Sequence, residues 1–431
     1  MCSGITAVDI QRLNYLPSLV VSRILLYLPW QDKLSVVETL PSWEPHLCYP
    51  TSWSELQYTR EQGTVQQFIQ CLQKYGKYIS AVCIDVRYDS GFQLQAINQI
   101  LNNVATFCPH LQHVKLWDIH WDDDVMRAFG DILENCTQLR DISLRQPVLW
   151  GSVDHHSCLL AMLARPEHSE KVRELMLGGV SLDGRDRPLQ SLSQFSQLRV
   201  LRVRREELSD VLLMHLSTNS LERLTLFQDT DYLGALTYSP GLWQHVLAQK
   251  PNFCVGLVLY NLTILRTMFS AQVPLITIVL VDLSTSLTKG ILDTIAHNYH
   301  KTLETFVCAK DSTKDYTELN DRRLPASLID LVHKCTRLHT LVYGFAISSA
   351  TVLLIASERK LSQFVISADQ LSLEIDGEQL ENREPDFTNW LVTNKSSVSS
   401  LETEVSYQFG YDWTVANDEI ISDLVNDYWH F

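Results

Sequence analysis

Short apolar patterns of the form Leu-x-x-Leu-x-Leu recur along most of the chain. One copy runs from Leu111 through Val114 to Leu116, and other copies share its spacing. The alternating end of each copy predicts a short strand, because successive side chains of a strand point to opposite faces. The other copies begin at Leu139, Val172, Leu198, Leu221, Val255, Leu275, Leu303, Leu338 and Leu361. The chain is therefore predicted to be an array of strand units.

The segments between these strands carry the spacing of helices. Apolar residues recur every three or four positions in 94–104 and in 208–216. The leading positions Leu111 and Leu139 are 28 residues apart, and Leu198 and Leu221 are 23 apart. Roughly 20 to 29 residues is the period of leucine-rich repeats, whose units bury their apolar faces by stacking. We expect an α/β fold, in which an N-terminal helical module precedes a leucine-rich-repeat solenoid with a curved parallel sheet and outer helices.

The N-terminal module begins with a different pattern. Leu16-Pro17 is followed by Val20, Ile24 and Leu28 at steps of four residues. Such spacing predicts an amphipathic helix with one broad apolar stripe. A segment of this size buries little apolar surface by itself, since chains below roughly 40 residues usually need a partner, a metal or disulfides for stability. The stripe therefore favours a docking face for another protein.

A second short helix is predicted directly after the first. Asp32 is its expected N-cap and Leu34 one of its apolar positions, while Pro41 ends it because proline cannot continue the hydrogen-bond ladder. Trp43 and Trp53 follow, ten residues apart. Two helices and two tryptophans within about forty residues form a distinct pattern.

This pattern resembles the F-box family. The family has a Leu-Pro, a helix ending in Tyr-Leu, a second helix with a Val-Cys-x-x-Trp element, and a final Leu-Trp. The chain departs from it at Thr39-Leu40-Pro41-Ser42-Trp43, where Pro41 shortens the second helix. The residues that match in order are Leu16, Pro17, Ile24, Tyr27, Leu28, Leu34, Trp43 and Trp53.

An F-box followed by degenerate leucine-rich repeats resembles the substrate receptors of cullin-RING ubiquitin ligases. The resemblance implies an F-box at 10–60, a leucine-rich-repeat solenoid at 61–375, and a C-terminal repeat, cap and aromatic tail at 376–431. It implies that the protein is the substrate-recognition adaptor of an SCF ligase, bound to a Skp-type adaptor subunit and through it to cullin and RING subunits. The implied adaptor-binding residues are Leu16, Pro17, Val20, Ile24 and Leu28, supported by Leu34, Trp43 and Trp53.

The C-terminal aromatic residues have two readings. From Gly241 to Val307 the chain resembles the F-box-only branch that is related to the cryptochrome-binding receptors, and those relatives use an aromatic tail against their target. That resemblance implies substrate contacts by Trp429 and Phe431. By pattern alone, an aromatic cluster beginning at Trp413 can also cap the core of the last repeat.

Charge narrows the possible partners. The 431 residues carry 35 basic and 50 acidic side chains, a net charge of −15 and a pI near 5.4. Non-specific binding to nucleic acid or acidic membranes depends on basic residues, so we expect neither partner. The start lacks a signal-peptide pattern, and no apolar run reaches the roughly 18 residues of a membrane span. We expect a cytoplasmic or nuclear protein with reduced cysteines.

Candidate chemistry is sparse. The common phosphate-binding, zincin and nucleophile-elbow motifs are absent from the sequence, which predicts a non-enzymatic protein without metal or cofactor. Asp154-His155-His156 is predicted to be a short polar loop, and Asp122 to lie at a helix start. The segments 310–323 and 376–386 are predicted loops. The cysteines that precede three leading leucines, Cys108, Cys136 and Cys335, are predicted to pack inside turns.

Two alternatives remain open at this level. The first is a leucine-rich-repeat scaffold for protein interactions, in which the N-terminal helices merely cap the array without any connection to a ligase. Exposure of the Ile24 and Leu28 face distinguishes this reading from the F-box reading. The second and more distant alternative is a thiol-dependent enzyme.

Overall fold

The computed structural model describes most of the chain. The described residues are 13–53, 55–59, 63–86, 94–145, 153–178, 191–205, 208–228, 241–260, 269, 272–281, 287–309, 324–373 and 385–430. At 94, 153–157, 423 and 426–430 it describes the backbone alone. The chain divides into two compact units, 1–221 and 222–431.

The first unit contains eight described α-helices and six strands. Two 3₁₀ helices, Pro41–Cys48 and Pro50–Ser52, follow the first two helices, and a third, Gly76–Tyr78, precedes the second strand. The helices are α1 (Ser18–Tyr27), α2 (Trp30–Thr39), α3 (Val65–Tyr75), α4 (Leu94–Phe107), α5 (Asp123–Asn135), α6 (Val153–Leu163), α7 (Pro166–Ser169) and α8 (Asp210–Thr218). The strands are β1 (Leu56–Thr59), β2 (Ala81–Asp85), β3 (His113–Trp117), β4 (Asp141–Arg145), β5 (Glu174–Gly178) and β6 (Val200–Arg204).

These six strands form a parallel sheet in chain order. The residues at one register position are Leu56, Val82, Val114, Ile142, Leu175 and Leu201, and all are buried. Helices α3, α4, α5 and α6 pack side by side as a second layer. Parallel strands need such crossover helices, because each strand must begin at the same end of the sheet. The core of the unit lies between the strands and these helices.

The second unit repeats the same plan. Its helices are α9 (Leu242–Gln249), α10 (Lys289–Tyr299), α11 (Leu324–Lys334), α12 (Ser349–Glu358), α13 (Pro385–Asn394), α14 (Val398–Phe409) and α15 (Asp418–His430). Its main strands are β7 (Arg223–Gln228), β8 (Cys254–Tyr260), β9 (Leu275–Val281), β10 (Thr305–Ala309), β11 (Thr340–Tyr343) and β13 (Gln363–Ile366). The pairings that join them are all parallel. Short strands β12 (Ile347–Ser348) and β14 (Leu371–Ser372) pair with each other.

These elements confirm the predicted α/β fold of parallel strands and layered helices. Each of the ten predicted strand copies coincides with a strand. The sequence reasoning missed β1 and β2, although Val82 and Ile84 follow Ile79 at the spacing of the repeat. The predicted domain boundaries at 60 and 375 stay predictions.

The repeat cysteines pack inside the array, as predicted. Cys108, Cys136 and Cys335 are buried, and the Cys136 thiol donates to the Cys108 carbonyl at 3.3 Å. Burial raises the pKa of the Cys136 thiol to about 11 and that of Cys335 to about 12. Because the thiolate is the nucleophilic form of cysteine, such thiols are unreactive near neutral pH.

Two local predictions are wrong. Asp32 does not cap α2, because Pro29 lies in extended backbone (φ −62°, ψ 158°) and the helix begins at Trp30; Asp32 belongs to its first turn. Asp154-His155-His156 lies in helix α6 rather than in a loop, because the buried Leu159, Leu160 and Leu163 continue the helical pattern beyond it. By contrast, Asp122 caps α5, where its carboxylate accepts from the Val125 amide at 2.8 Å.

The predicted loop 310–323 lies outside the described residues, as does most of 376–386. In the described parts of the chain, no helix is both long enough and apolar enough to cross a membrane.

Candidate functional site

Helix α1 has an apolar face on each side. It starts after Pro17, whose carbonyl accepts the amides of Val20 and Val21 at 2.8 and 3.1 Å. Val21 and Leu25 are buried against the two 3₁₀ helices that follow α2. A surface helix ordinarily carries polar residues on the opposite side. Helix α1 carries the exposed Arg23 there, but aliphatic and aromatic side chains lie on both sides of it. The second face is therefore available for a partner.

Four of the exposed apolar side chains of α1 define this second face, and Arg23 lies among them. Leu19 is 80% exposed, Tyr27 78%, Val20 41% and Ile24 36%. Successive residues of a helix are about 100° apart, so these four side chains lie within one arc of its surface. We call this set, Leu19, Val20, Ile24 and Tyr27, the α1 face. Contiguous exposed apolar patches mark interaction sites in soluble proteins.

The other predicted site residues lie around this face or beneath it. Pro17 is exposed, and Leu16, Leu28 and Leu34 are partly buried. Trp43 and Trp53 are buried, so they can hold the module in shape but cannot contact a partner directly. Sequence reasoning missed Leu19, whose exposure does not follow from the four-residue step on which Val20 and Ile24 lie.

The two tryptophans fix the irregular part of the module. The Trp43 indole donates to the Leu13 carbonyl at 3.2 Å, which holds the segment before α1. The Trp53 indole donates to the Leu47 carbonyl at 2.8 Å, inside the core. Side-chain donors of this kind are needed because 3₁₀ and irregular backbone leaves carbonyl groups unpaired.

The far side of the module packs on the first repeat. The Trp30 ring meets Phe68 of α3 edge-on at 5.5 Å between centroids, and the Trp53 ring lies 5.4 Å from Tyr75. Glu44 pairs with Lys74 at 2.5 Å at the surface of the same contact. The module is thus attached to the array on one side and presents the α1 face on another. The cap and docking readings differ on the Ile24 and Leu28 face, and here Ile24 is exposed while Leu28 is partly buried.

Lys33 is a buried cation within this contact. Its ammonium donates to the Ser52 carbonyl at 2.7 Å and lies 4.9 Å from the centroid of the Trp53 ring. Burial lowers the pKa of Lys33 from 10.5 to about 8, while the nearby Cys71 acts in the opposite direction. The burial of Lys33 could not be predicted from the sequence, because a lysine in the first turn of a short helix ordinarily faces solvent.

The lowered pKa of Lys33 predicts how the stability of the protein changes with pH. Because its pKa is lower in the folded chain, the unfolded chain binds more protons between pH 8 and 10.5, and stability rises with pH in that window. We expect the free energy of unfolding of wild type to gain about 1–2 kcal/mol relative to Lys33→Met as pH rises through it. Urea titrations of both proteins at several pH values measure the difference, and the comparison cancels the titration of tyrosines and cysteines. A difference that does not change with pH would contradict a buried ammonium.

The predicted target-binding residues lie elsewhere. Trp429 belongs to α15, but its side chain lies outside the described part of the structure, as does Phe431 entirely. Trp413 is buried and its ring stacks on Phe364 at 5.7 Å, so this member of the aromatic segment caps the last repeat. Among the described residues, no group of three or more His, Cys, Asp or Glu side chains is arranged to hold a metal ion.

The sequence of the chain matches no family model and no curated protein. It is similar to a solved structure, the crystal structure of the Rad7 and Elc1 complex in yeast, with 13% identity and a TM-score of 0.43. That match covers 88% of this chain and 96% of the other.

Proposed function

We propose that this protein is a non-enzymatic substrate-recognition adaptor of a cullin-RING ubiquitin ligase of the SCF type. The α1 face is the observation that carries the proposal, because it is an apolar helix surface without a partner among the described residues. The F-box resemblance of the same residues supports a Skp-type adaptor subunit as the partner. In this proposal, Leu16, Pro17, Val20, Ile24 and Leu28 contact the adaptor, and Leu34, Trp43 and Trp53 support them.

The proposed mechanism is proximity. The repeat array would bind the target protein while the N-terminal module links it to the ligase. Holding a target lysine near the charged conjugating enzyme makes a bimolecular transfer effectively intramolecular. No side chain of this chain then needs to take part in bond making. The raised pKa values of the buried Cys136 and Cys335 thiols favour a structural role for these two cysteines.

Polar substitution on the α1 face tests the proposal. We expect wild type to form a one-to-one complex with a purified Skp-type adaptor in size-exclusion chromatography, and Val20→Asp/Ile24→Asp to lose it. Removing two aliphatic side chains from an interface costs about 3–6 kcal/mol, which weakens binding by a factor of roughly 10² to 10⁴. Isothermal titration calorimetry gives the dissociation constants.

Val211→Asp is the matched control. Val211 is an exposed aliphatic residue on α8, so the same change there should leave adaptor binding unaltered. Because Val20 and Ile24 are exposed, the double variant should also keep the circular dichroism spectrum of wild type. A wild-type chain that is folded and ignores the adaptor would instead favour a leucine-rich-repeat scaffold without a ligase. Co-elution of the double variant at the wild-type ratio would exclude the α1 face as the docking site.

A further inference from the structure

A row of apolar side chains crosses the sheet of the second unit. The pairing register places one residue of each main strand in line, and five of the six are valine. We call this set the valine row. Its members are Phe227, Val258, Val279, Val307, Val342 and Val365.

The valine row lies on the face of the sheet away from the core helices. Side chains alternate between faces along a strand, so Val365 points away from the face of its neighbour Phe364. Phe364 contacts Phe409 of helix α14, with ring centroids 5.8 Å apart, and therefore marks the helix side. Solvent-facing strand positions are ordinarily polar, yet Val279, Val307 and Val342 are fully buried. Another element must cover them.

The C-terminal segment crosses the edge of the last strand to reach this face. On the helix side, the Trp413 indole donates to the Phe364 carbonyl at 2.7 Å. Further on, the Ala416 amide donates to the Ile366 carbonyl at 2.9 Å. The Ser367 hydroxyl, at a position of the same face as the valine row, then donates to the Asp418 carboxylate. The chain thus passes from one face of the sheet to the other between 413 and 418.

Helix α15 then lies over the valine-row face. It packs chiefly on β9 and β10, and the Ile421 Cγ2 lies 3.5 Å from where a Cβ on Gly344 would be. Ile421 and Val425, four residues apart, are buried, whereas Asp418 and Glu419 are exposed. An amphipathic helix with an aliphatic pair at i and i+4 therefore occupies a shallow apolar groove.

We propose that the valine row is a helix-binding groove, that α15 fills it within the chain, and that a partner binds by displacing α15. The partner is a protein segment of the same chemistry: an amphipathic helix with aliphatic residues at i and i+4 and acidic residues on its outer face. Helix-in-groove recognition reads this spacing of anchors. Helix α15 is suited to displacement, because it takes no part in the described strand pairings of the unit, and its opening leaves them intact.

The valine row spans six strands, while α15 packs chiefly on two of them. The row beyond these two strands is also buried, with Phe227 4% exposed and Val342 0%. A partner helix would therefore replace the contacts of α15 rather than add to them. That the partner is a target of the ligase rests on the proposed function. That the groove binds a helix does not, because the test below uses no ligase subunit.

The test uses full-length protein and a fluorescein-labelled peptide of residues 417–431. Ile421→Asp/Val425→Asp weakens α15 in the chain and should free the groove. We expect fluorescence anisotropy to show that this variant binds the peptide roughly a hundredfold more tightly than wild type does, as two buried aliphatic anchors warrant. A peptide carrying the same two changes should bind neither protein. Ile420→Asp, at a half-exposed position of α15, is the matched control and should behave as wild type.

Three outcomes overturn the proposal. A folded double variant that does not bind the peptide shows that the valine row is no helix groove. A double variant that forms dimers without binding peptide assigns the row to a second copy of this chain. A double variant that fails to fold shows that α15 is an integral part of the core.

Hydrogen exchange of the wild-type protein gives an independent measurement. A displaceable helix opens without the rest of its unit, so its amides exchange through a low-energy local opening. We expect the amides of α15 to exchange at least tenfold faster than those of α12, whose positions from Ser349 to Ala356 are all buried. Equal rates would mean that α15 opens only with the whole unit, which would overturn the proposal.

Discussion

Replacing Trp53 with alanine is expected to lower the free energy of unfolding of the first unit by about 3–5 kcal/mol. The side chain is fully buried, its indole donates to the Leu47 carbonyl at 2.8 Å, and its ring lies 5.4 Å from Tyr75. Alanine would leave a cavity, an unpaired carbonyl, and the Lys33 ammonium without its aromatic neighbour. Urea unfolding followed by circular dichroism measures the loss.

Two further substitutions show which contacts of Trp53 account for the loss of stability. Tyr49→Ala removes an exposed aromatic side chain nearby and should change stability by less than about 0.5 kcal/mol. Trp53→Phe keeps an aromatic ring and loses the hydrogen bond, so we expect an intermediate loss. If Trp53→Ala were as stable as wild type, the module would not depend on the packing of Trp53 against Tyr75. Adaptor binding should fall with stability, because Trp53 positions the α1 face without touching it.

Trp413→Ala should destabilise the second unit by a similar amount, about 3–5 kcal/mol. Its ring stacks on Phe364 at 5.7 Å, and its indole donates to the Phe364 carbonyl at 2.7 Å. The Trp413 amide also donates to the Ser406 hydroxyl at 2.8 Å, which holds the backbone in place at this position. Loss of the ring therefore releases the segment that leads to α15.

Differential scanning calorimetry detects this change as a lower unfolding temperature of the second unit. Tyr407→Ala is the control, since Tyr407 is an exposed aromatic residue on α14. We also expect faster hydrogen exchange in α15 of Trp413→Ala, while the strands of the first unit keep their protection. An unchanged calorimetric profile would exclude Trp413 as the cap of the last repeat.

The repeat units were predictable because a few neighbouring residues determine each of them. The Leu-x-x-Leu-x-Leu spacing carries both the strand and its buried face, so the copies at Leu111, Leu139 and Leu338 each coincide with a strand. The first two strands were missed because the pattern positions at β2, Ile79, Val82 and Ile84, include no leucine, and because Leu56 and Tyr58 of β1 adjoin the tryptophans of the module. A pattern allowing any aliphatic residue would have found β2.

The candidate site was predictable in part. The step of four from Val20 to Ile24 locates the helix, but which of its two apolar sides is buried depends on the 3₁₀ helices that follow. Lys33 is buried against Ser52, nineteen residues later in the chain, and the spacing of residues in the sequence does not predict that contact. Continuous apolar runs such as β9 do signal strands covered on both faces. They do not identify the covering element, which comes more than 130 residues after β9 in the chain.

The crossing of the sheet edge at 413–418 also has a consequence for biosynthesis. Chains emerge from the ribosome from the N-terminus at about 5–20 residues per second, and domains fold as they appear. The residues that cover the last strand and the valine row are made only after the strands themselves. Every newly made molecule therefore passes through a stage in which a strand edge and an apolar surface are open to water. Such surfaces attract other chains, so this stage is the one at which a new molecule is most open to association with its neighbours.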